Sequence, residues 1–108
     1  SKKIDNERKL YQNISLLKYI HQGFFKKIKN KKYEINVTSF NNLNETLKYF
    51  VIQSFYQNHS IHHKKTLRKE NVLNVIDIIS NFDGNFKEKS IFSGKISTFG
   101  KKICLNLN

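Results

Sequence analysis

The chain has 108 residues, 38% of them apolar and 13% aromatic, and carries twenty Lys and Arg against eight Asp and Glu, a formal charge of +12. That length admits one small domain and leaves no room for a second core, while nine Phe and five Tyr are too many for a disordered basic tail. Self-repulsion on this scale is ordinarily tolerated because a polyanion neutralises it, so the expectation is a single nucleic-acid-binding domain over residues 1–108, with residues 1–9 as a basic arm.

The first element is a helix. Leu10, Ile14, Leu17 and Ile20 recur at three-and-four spacing, with Leu16 beside them, and Gly23 ends the pattern. A basic run follows, Lys26, Lys27, Lys29, Lys31 and Lys32, in which Phe24, Phe25 and Tyr33 can anchor the segment while the charges face phosphate. Tyr33, Ile35 and Val37 then alternate with Glu34, Asn36 and Thr38, which predicts a half-buried strand closed by Ser39. Leu43, Leu47, Phe50, Val51 and Phe55 return to helical spacing, giving a second helix to about Asn58 with Asn41 or Asn42 as its cap.

His59 to Glu70 is polar and basic. The apolar run Val72, Leu73, Val75, Ile76, Ile78 and Ile79 fits a buried strand or a helix by periodicity. Its β-branched residues and the following Asp83-Gly84 turn favour a strand. Ser90 to Ile96 and Lys102 to Leu107 read as two further strands around a turn at Gly100. The fold class expected is α+β: an N-terminal helix, a strand, a helix, then three or four mostly antiparallel strands.

Chemistry is limited. Paired carboxylates, a phosphate-cradling glycine loop and a nucleophile with its base are absent from the sequence, so no enzyme activity and no cofactor are expected. His59, His62 and His63 match no metal-ligand spacing, and with Lys64, Lys65 and Arg68 they read as a second phosphate-facing patch. Cys104, alone on an apolar strand, reads as core; a single cysteine permits no intramolecular disulfide, which fits a reducing compartment. No apolar stretch approaches the roughly 20 residues a bilayer requires, and no signal-peptide segment follows the first lysines, so no membrane partner is expected. Eighteen Lys against two Arg, amid abundant Asn and Ile, suggest an A/T-rich genome, an organellar one among the candidates. Lysine also implies neutralisation by point charge more than bidentate reading of bases.

Three local words stand in order along the chain. They are Leu17-Lys18-Tyr19-Ile20-His21-Gln22-Gly23; Ser60-Ile61 at the close of the second helix; and Gly94-Lys95-Ile96-Ser97-Thr98-Phe99-Gly100-Lys101-Lys102. Together with the lysine cluster, the strand from Tyr33 and Leu43-Asn44-Glu45 inside the second helix, they resemble the N-terminal part of the ribosomal small-subunit protein eight family, in its bacterial or organellar form. There the first word usually runs Leu-x-Arg-Ile-Arg-Asn and a small residue, the second Gly-Tyr-Ile or Gly-Phe-Ile, and the third Ile-x-Arg-Val-Ser-Lys-Pro-Gly-Arg-Arg. Tyr19, His21 and Gln22 replace Arg, Arg and Asn, and Phe99 stands for the proline.

The resemblance covers roughly residues 10 to 108 and implies that the family's C-terminal module, its main grip on the central domain of small-subunit rRNA, lies outside this sequence. It further implies a structural ribosomal protein, located in a mitochondrial or other organellar ribosome or otherwise in the cytoplasm. Its partners would be small-subunit rRNA and the neighbouring proteins numbered five and seventeen, with no small-molecule substrate. The expected RNA-binding set joins the lysine cluster to Lys18, His21, Gln22, Ser39, Asn41, Lys64, Lys65, Arg68, Lys95, Ser97, Thr98, Lys101 and Lys102. Two other classes compete: a free-standing basic regulator of DNA or RNA, which would want a recognition helix richer in Arg, Asn and Gln, and an adaptor on an anionic membrane, for which the first helix has too few lysines on its polar face.

Overall fold

The computed structural model describes residues 15–59, 67–82, 88–100 and 102–108, without the side chains of 15–18 and 99. Within them the chain forms a 3-10 segment, Ser15–Gly23, then strands β1 (Phe25–Lys29) and β2 (Lys32–Ile35). Helices α1 (Val37–Asn41), α2 (Glu45–His59) and α3 (Lys69–Ser80) follow, and strands β3 (Glu88–Ile91), β4 (Gly94–Phe99) and β5 (Lys102–Leu107) complete it. The class is α+β, as the sequence predicts. The five strands make one antiparallel sheet in the order β1-β2-β5-β4-β3, so the last strand in sequence lies at its centre.

Several boundaries differ from the sequence expectation for local reasons. Of the first helix, Leu10 and Ile14 lie outside the described residues, and the described part is 3-10 with a break at Tyr19 (φ −118°, ψ 19°). The basic run is itself a strand, β1, bent by a bulge between Lys27 and Lys29. The strand from Tyr33 stops at Ile35 because the Asn36 side chain accepts from Ser39 N (3.0 Å) and caps α1. The cap of α2 is Asn44, whose Oδ1 takes Leu47 N at 2.8 Å, in place of Asn41 or Asn42.

The largest correction concerns the run 72–79, which is helical. Val72, Val75, Ile76 and Ile79 fall on one buried face of α3, while Leu73, Asn74, Asp77 and Ser80 face out. Burial of that stripe outweighs the modest helix cost of β-branched residues. Asn81 ends the helix by bonding back to Asp77 O (2.9 Å) and Oδ1 (2.7 Å).

The helices cover one face of the sheet. Tyr33, Ile35, Ile96, Ile103, Leu105 and Leu107 of the sheet join Phe40, Tyr49, Ile52, Phe55, Val72, Val75 and Ile79 of the helices in one core. Phe55 organises the β1–β2 side: Phe25 stacks on it at 4.1 Å and Tyr33 meets it edge-on at 5.1 Å. On the β3–β4 side the Tyr56 hydroxyl donates to Phe92 O at 2.8 Å, tying α2 to that hairpin. Between α2 and α3, buried Lys48 passes its ammonium out to Ser80 Oγ at 3.1 Å, with Glu45 at 4.0 Å.

Candidate nucleic-acid interface

Strand alternation assigns the polar face of the sheet. Two rows of cross-strand neighbours point away from the helices: Lys26, Glu34, Cys104, Ser97 and Glu88 in one, and Lys29, Lys32, Asn106, Lys95 and Ser90 in the other, with Lys102 beyond them. On this face Lys26, Lys29, Glu88, Ser90, Lys95 and Lys102 are exposed, Lys32, Glu34, Ser97 and Asn106 are half-buried, and Cys104 is buried. Two of its lysines are matched, Lys95 to Glu88 Oε1 at 3.3 Å and Lys102 to Glu34 Oε1 at 3.5 Å. Both pairs are largely exposed and worth about 0–1 kcal/mol each.

The other lysines concentrate at the β1–β2 hairpin. Lys29 lies directly opposite Lys32 on the same face. Like charges so placed cost up to about 1 kcal/mol, and among the described residues no carboxylate is bonded to either. Lys31 turns the hairpin with φ +64°, a left-handed conformation disfavoured for a side chain with a Cβ. Lys26 and Lys27 are exposed on β1, and Ile28 stands 49% exposed in the bulge. Five lysines thus crowd one hairpin whose only acid, Glu34, is held by Lys102.

The remaining residues of the expected RNA-binding set fall in several places. Gln22 is exposed at the end of the 3-10 segment. Ser97 is half-buried on the open face, where its Oγ takes the Asn106 amide at 2.8 Å. Thr98 sits one position along, opposite Ile103, on the row that faces the helices. Ser39 and Asn41 belong to α1, Asn41 reaching Ile79 O at 3.4 Å, and exposed Arg68 precedes α3; these three lie in the helical layer, apart from the lysine face. Lys64, Lys65 and Lys101 lie outside the described residues, as does the side chain of Lys18.

His21 departs from the expected role. It is 2% exposed, with Nδ1 2.6 Å from Ser54 Oγ and Nε2 3.1 Å from His59 Nε2, so neither ring nitrogen faces solvent. Burial, then the charge of His59, lowers its pKa to about 4. Exposed His59 in turn places Nδ1 3.3 Å from the Tyr33 hydroxyl, and its pKa is lowered by burial and then by Lys27. The chain Ser54, His21, His59, Tyr33 therefore links the 3-10 segment, α2 and β2 beside the lysine strand. Its members are too far apart in sequence to form a motif, and sequence reasoning missed it.

Cys104 is 6% exposed, its thiol pKa raised chiefly by burial, which makes it a poor nucleophile. It lies on the open side of β5, between Glu34 and Ser97, rather than in the main cluster. Among the described residues no three His, Cys, Asp or Glu side chains come together as a metal site, and no helix is long and apolar enough to cross a membrane. No family model, curated protein or solved structure matches the chain.

Proposed function

We propose that the chain is a structural, non-catalytic constituent of a small ribosomal subunit, of mitochondrial or other organellar type, binding rRNA through the β1–β2 hairpin and the adjoining open face of the sheet. The observation that supports this most is the uncompensated pairing of Lys29 with Lys32, flanked by Lys26, Lys27 and Lys31. A hairpin that sets like charges against each other gains from a polyanion, which releases condensed counterions as each phosphate is neutralised. Lysines on a rigid sheet, with hydroxyl and amide groups of Ser90, Ser97 and Asn106 between them, suit the phosphates and sugars of folded RNA. The three local sequence words add the ribosomal context, the central domain of the rRNA, and proteins five and seventeen as neighbours.

Binding to a fluorescent rRNA hairpin, followed against salt concentration, tests the interface. Replacing Lys26, Lys29 and Lys32 together with Gln is expected to weaken binding and reduce the salt slope by about two to three, since each phosphate contact contributes ~0.7–0.9. Gradient sedimentation of native lysate with crosslink sequencing tests the ribosomal context. Crosslinks in the central domain of small-subunit rRNA support it; a chain confined to free fractions and crosslinked to scattered RNA replaces it with a free-standing nucleic-acid-binding regulator.

A further inference from the structure

Ser54, His21, His59 and Tyr33 form an unbroken line of polar atoms, with contacts of 2.6, 3.1 and 3.3 Å, that runs from the buried side of α2 to the edge of the lysine strand. The protons on this line can be counted. With both imidazoles neutral, the single N–H between the two Nε2 atoms can belong to either ring, so the line can run in either direction. One added proton fixes the two outer bonds: His59 donates from Nδ1 to Tyr33 and His21 donates from Nδ1 to Ser54, while the N–H between the two Nε2 atoms puts the charge on one ring or the other, His59 being the more exposed of the two. The Tyr33 hydroxyl hydrogen is then turned away from His59. A second added proton would set N–H against N–H across 3.1 Å, so the pair accepts one and no more.

The surroundings decide when that proton arrives. Among the described residues the ionisable groups facing His59 are His21 from the 3-10 segment, Lys27 from β1 and Tyr33 from β2; α2 itself contributes Ser54 and the ring of Phe55. Glu34, the carboxylate of β2, points to the opposite sheet face, where Lys102 holds it. A proton on the pair therefore adds charge beside Lys27 without a described carboxylate to offset it, and an anion at Lys27 is what would remove that penalty.

We infer that the His21–His59 pair couples phosphate binding at Lys27 to the uptake of one proton, making His59 a second cation of the interface when RNA is bound. This rests on the RNA-binding reading and specifies how that site is regulated. Linkage is reciprocal: the factor by which phosphate raises the proton affinity of the pair is the factor by which the proton tightens phosphate binding. RNA affinity accordingly rises as pH falls, beyond what titration of the RNA alone would give.

The test is an NMR titration of the histidine ring protons, assigned with single His→Gln variants, on the free chain, with a uridine oligonucleotide, and with inorganic polyphosphate. The midpoint of the pair is expected to rise by about one unit with either anion, matched by about tenfold tighter binding at low pH. Lys27→Gln, an exposed surface change, should remove the rise, and His59→Gln should remove the pH dependence of binding. Oligonucleotide bound with unchanged midpoints overturns the coupling and leaves the RNA reading intact. A rise with polyphosphate but no oligonucleotide binding overturns the RNA reading and leaves the coupling as a property of an inorganic anion site.

Discussion

The two outer hairpins of the sheet share a backbone plan and differ in charge. Each closes with a two-residue turn whose second member has positive φ without being glycine, Lys31 at +64° and Ser93 at +60°. Each turn carbonyl is taken by an amide at the end of the central strand, Leu107 N to Lys31 O and Asn108 N to Ser93 O, both at 2.8 Å. Each edge strand also directs a lysine into the row that faces the helices, Lys27 in β1 and Lys89 in β3, a device that discourages edge-to-edge association. Yet Glu88 meets Lys95 in the second hairpin, whereas Lys29 meets Lys32 in the first. The shared backbone plan is thus structural, and the charge difference singles out the hairpin on which the RNA-binding proposal rests.

The largest way to break this symmetry is Gly94→Ala. A Cβ there would stand 2.0 Å from the Asn106 carbonyl oxygen of β5, and a backbone atom cannot move aside cheaply. We expect a loss of about 3 kcal/mol in urea unfolding, at the upper end for overpacking, whereas Gly23→Ala, with nothing within 4 Å, should have little steric effect.

Next comes pH, which should act on the first hairpin's side alone. His21 has a folded pKa near 4, below the 6.5 of an unperturbed imidazole. The unfolded chain therefore binds more protons between those values, and stability present at neutral pH is lost as pH falls through that window. Between pH 7.5 and 5 the loss should be about 2 kcal/mol, and His21→Gln should flatten the profile. Hydrogen exchange should show β1 losing protection before β4.

Ser93→Gly should stabilise by about 1–2 kcal/mol, because it relieves the left-handed backbone and removes a buried hydroxyl without a hydrogen-bond partner among the described residues. The smallest stability effect is the most informative. Lys29→Glu replaces the like-charge pair of the first hairpin with a directly opposed ion pair to Lys32, where the second has the diagonal pair Glu88–Lys95, and should stabilise by a few tenths of a kcal/mol, while lowering RNA affinity more than Lys89→Glu does.

Legibility followed the same division. The alternation of Ile103, Leu105 and Leu107 marks β5 because a central strand buries one full row. β1 shows in the sequence only as a basic run: on an edge strand Lys27 occupies the inward row while staying exposed, which erases the period of two. α3 is hard to read because its β-branched composition points to a strand while the 72, 75, 76, 79 spacing points to a helix. In the interface, the lysine cluster is visible from charge alone, but Lys95 and Lys102 join its face only through pairings that no local pattern encodes. His21 was expected at RNA through family resemblance, and the depth of its pocket depends on α2, which lies far along the chain.

The central position of β5 also orders events in time. β2 has no second neighbour, and neither outer turn has its amide partner, until Lys102–Leu107 has been made. Closing Ile35 onto Ile103 joins residues 68 positions apart, a contact of high order that is slow to form. During synthesis the lysine hairpin therefore precedes the strand that completes it, and a polyanion able to hold that hairpin would find it before the sheet is closed.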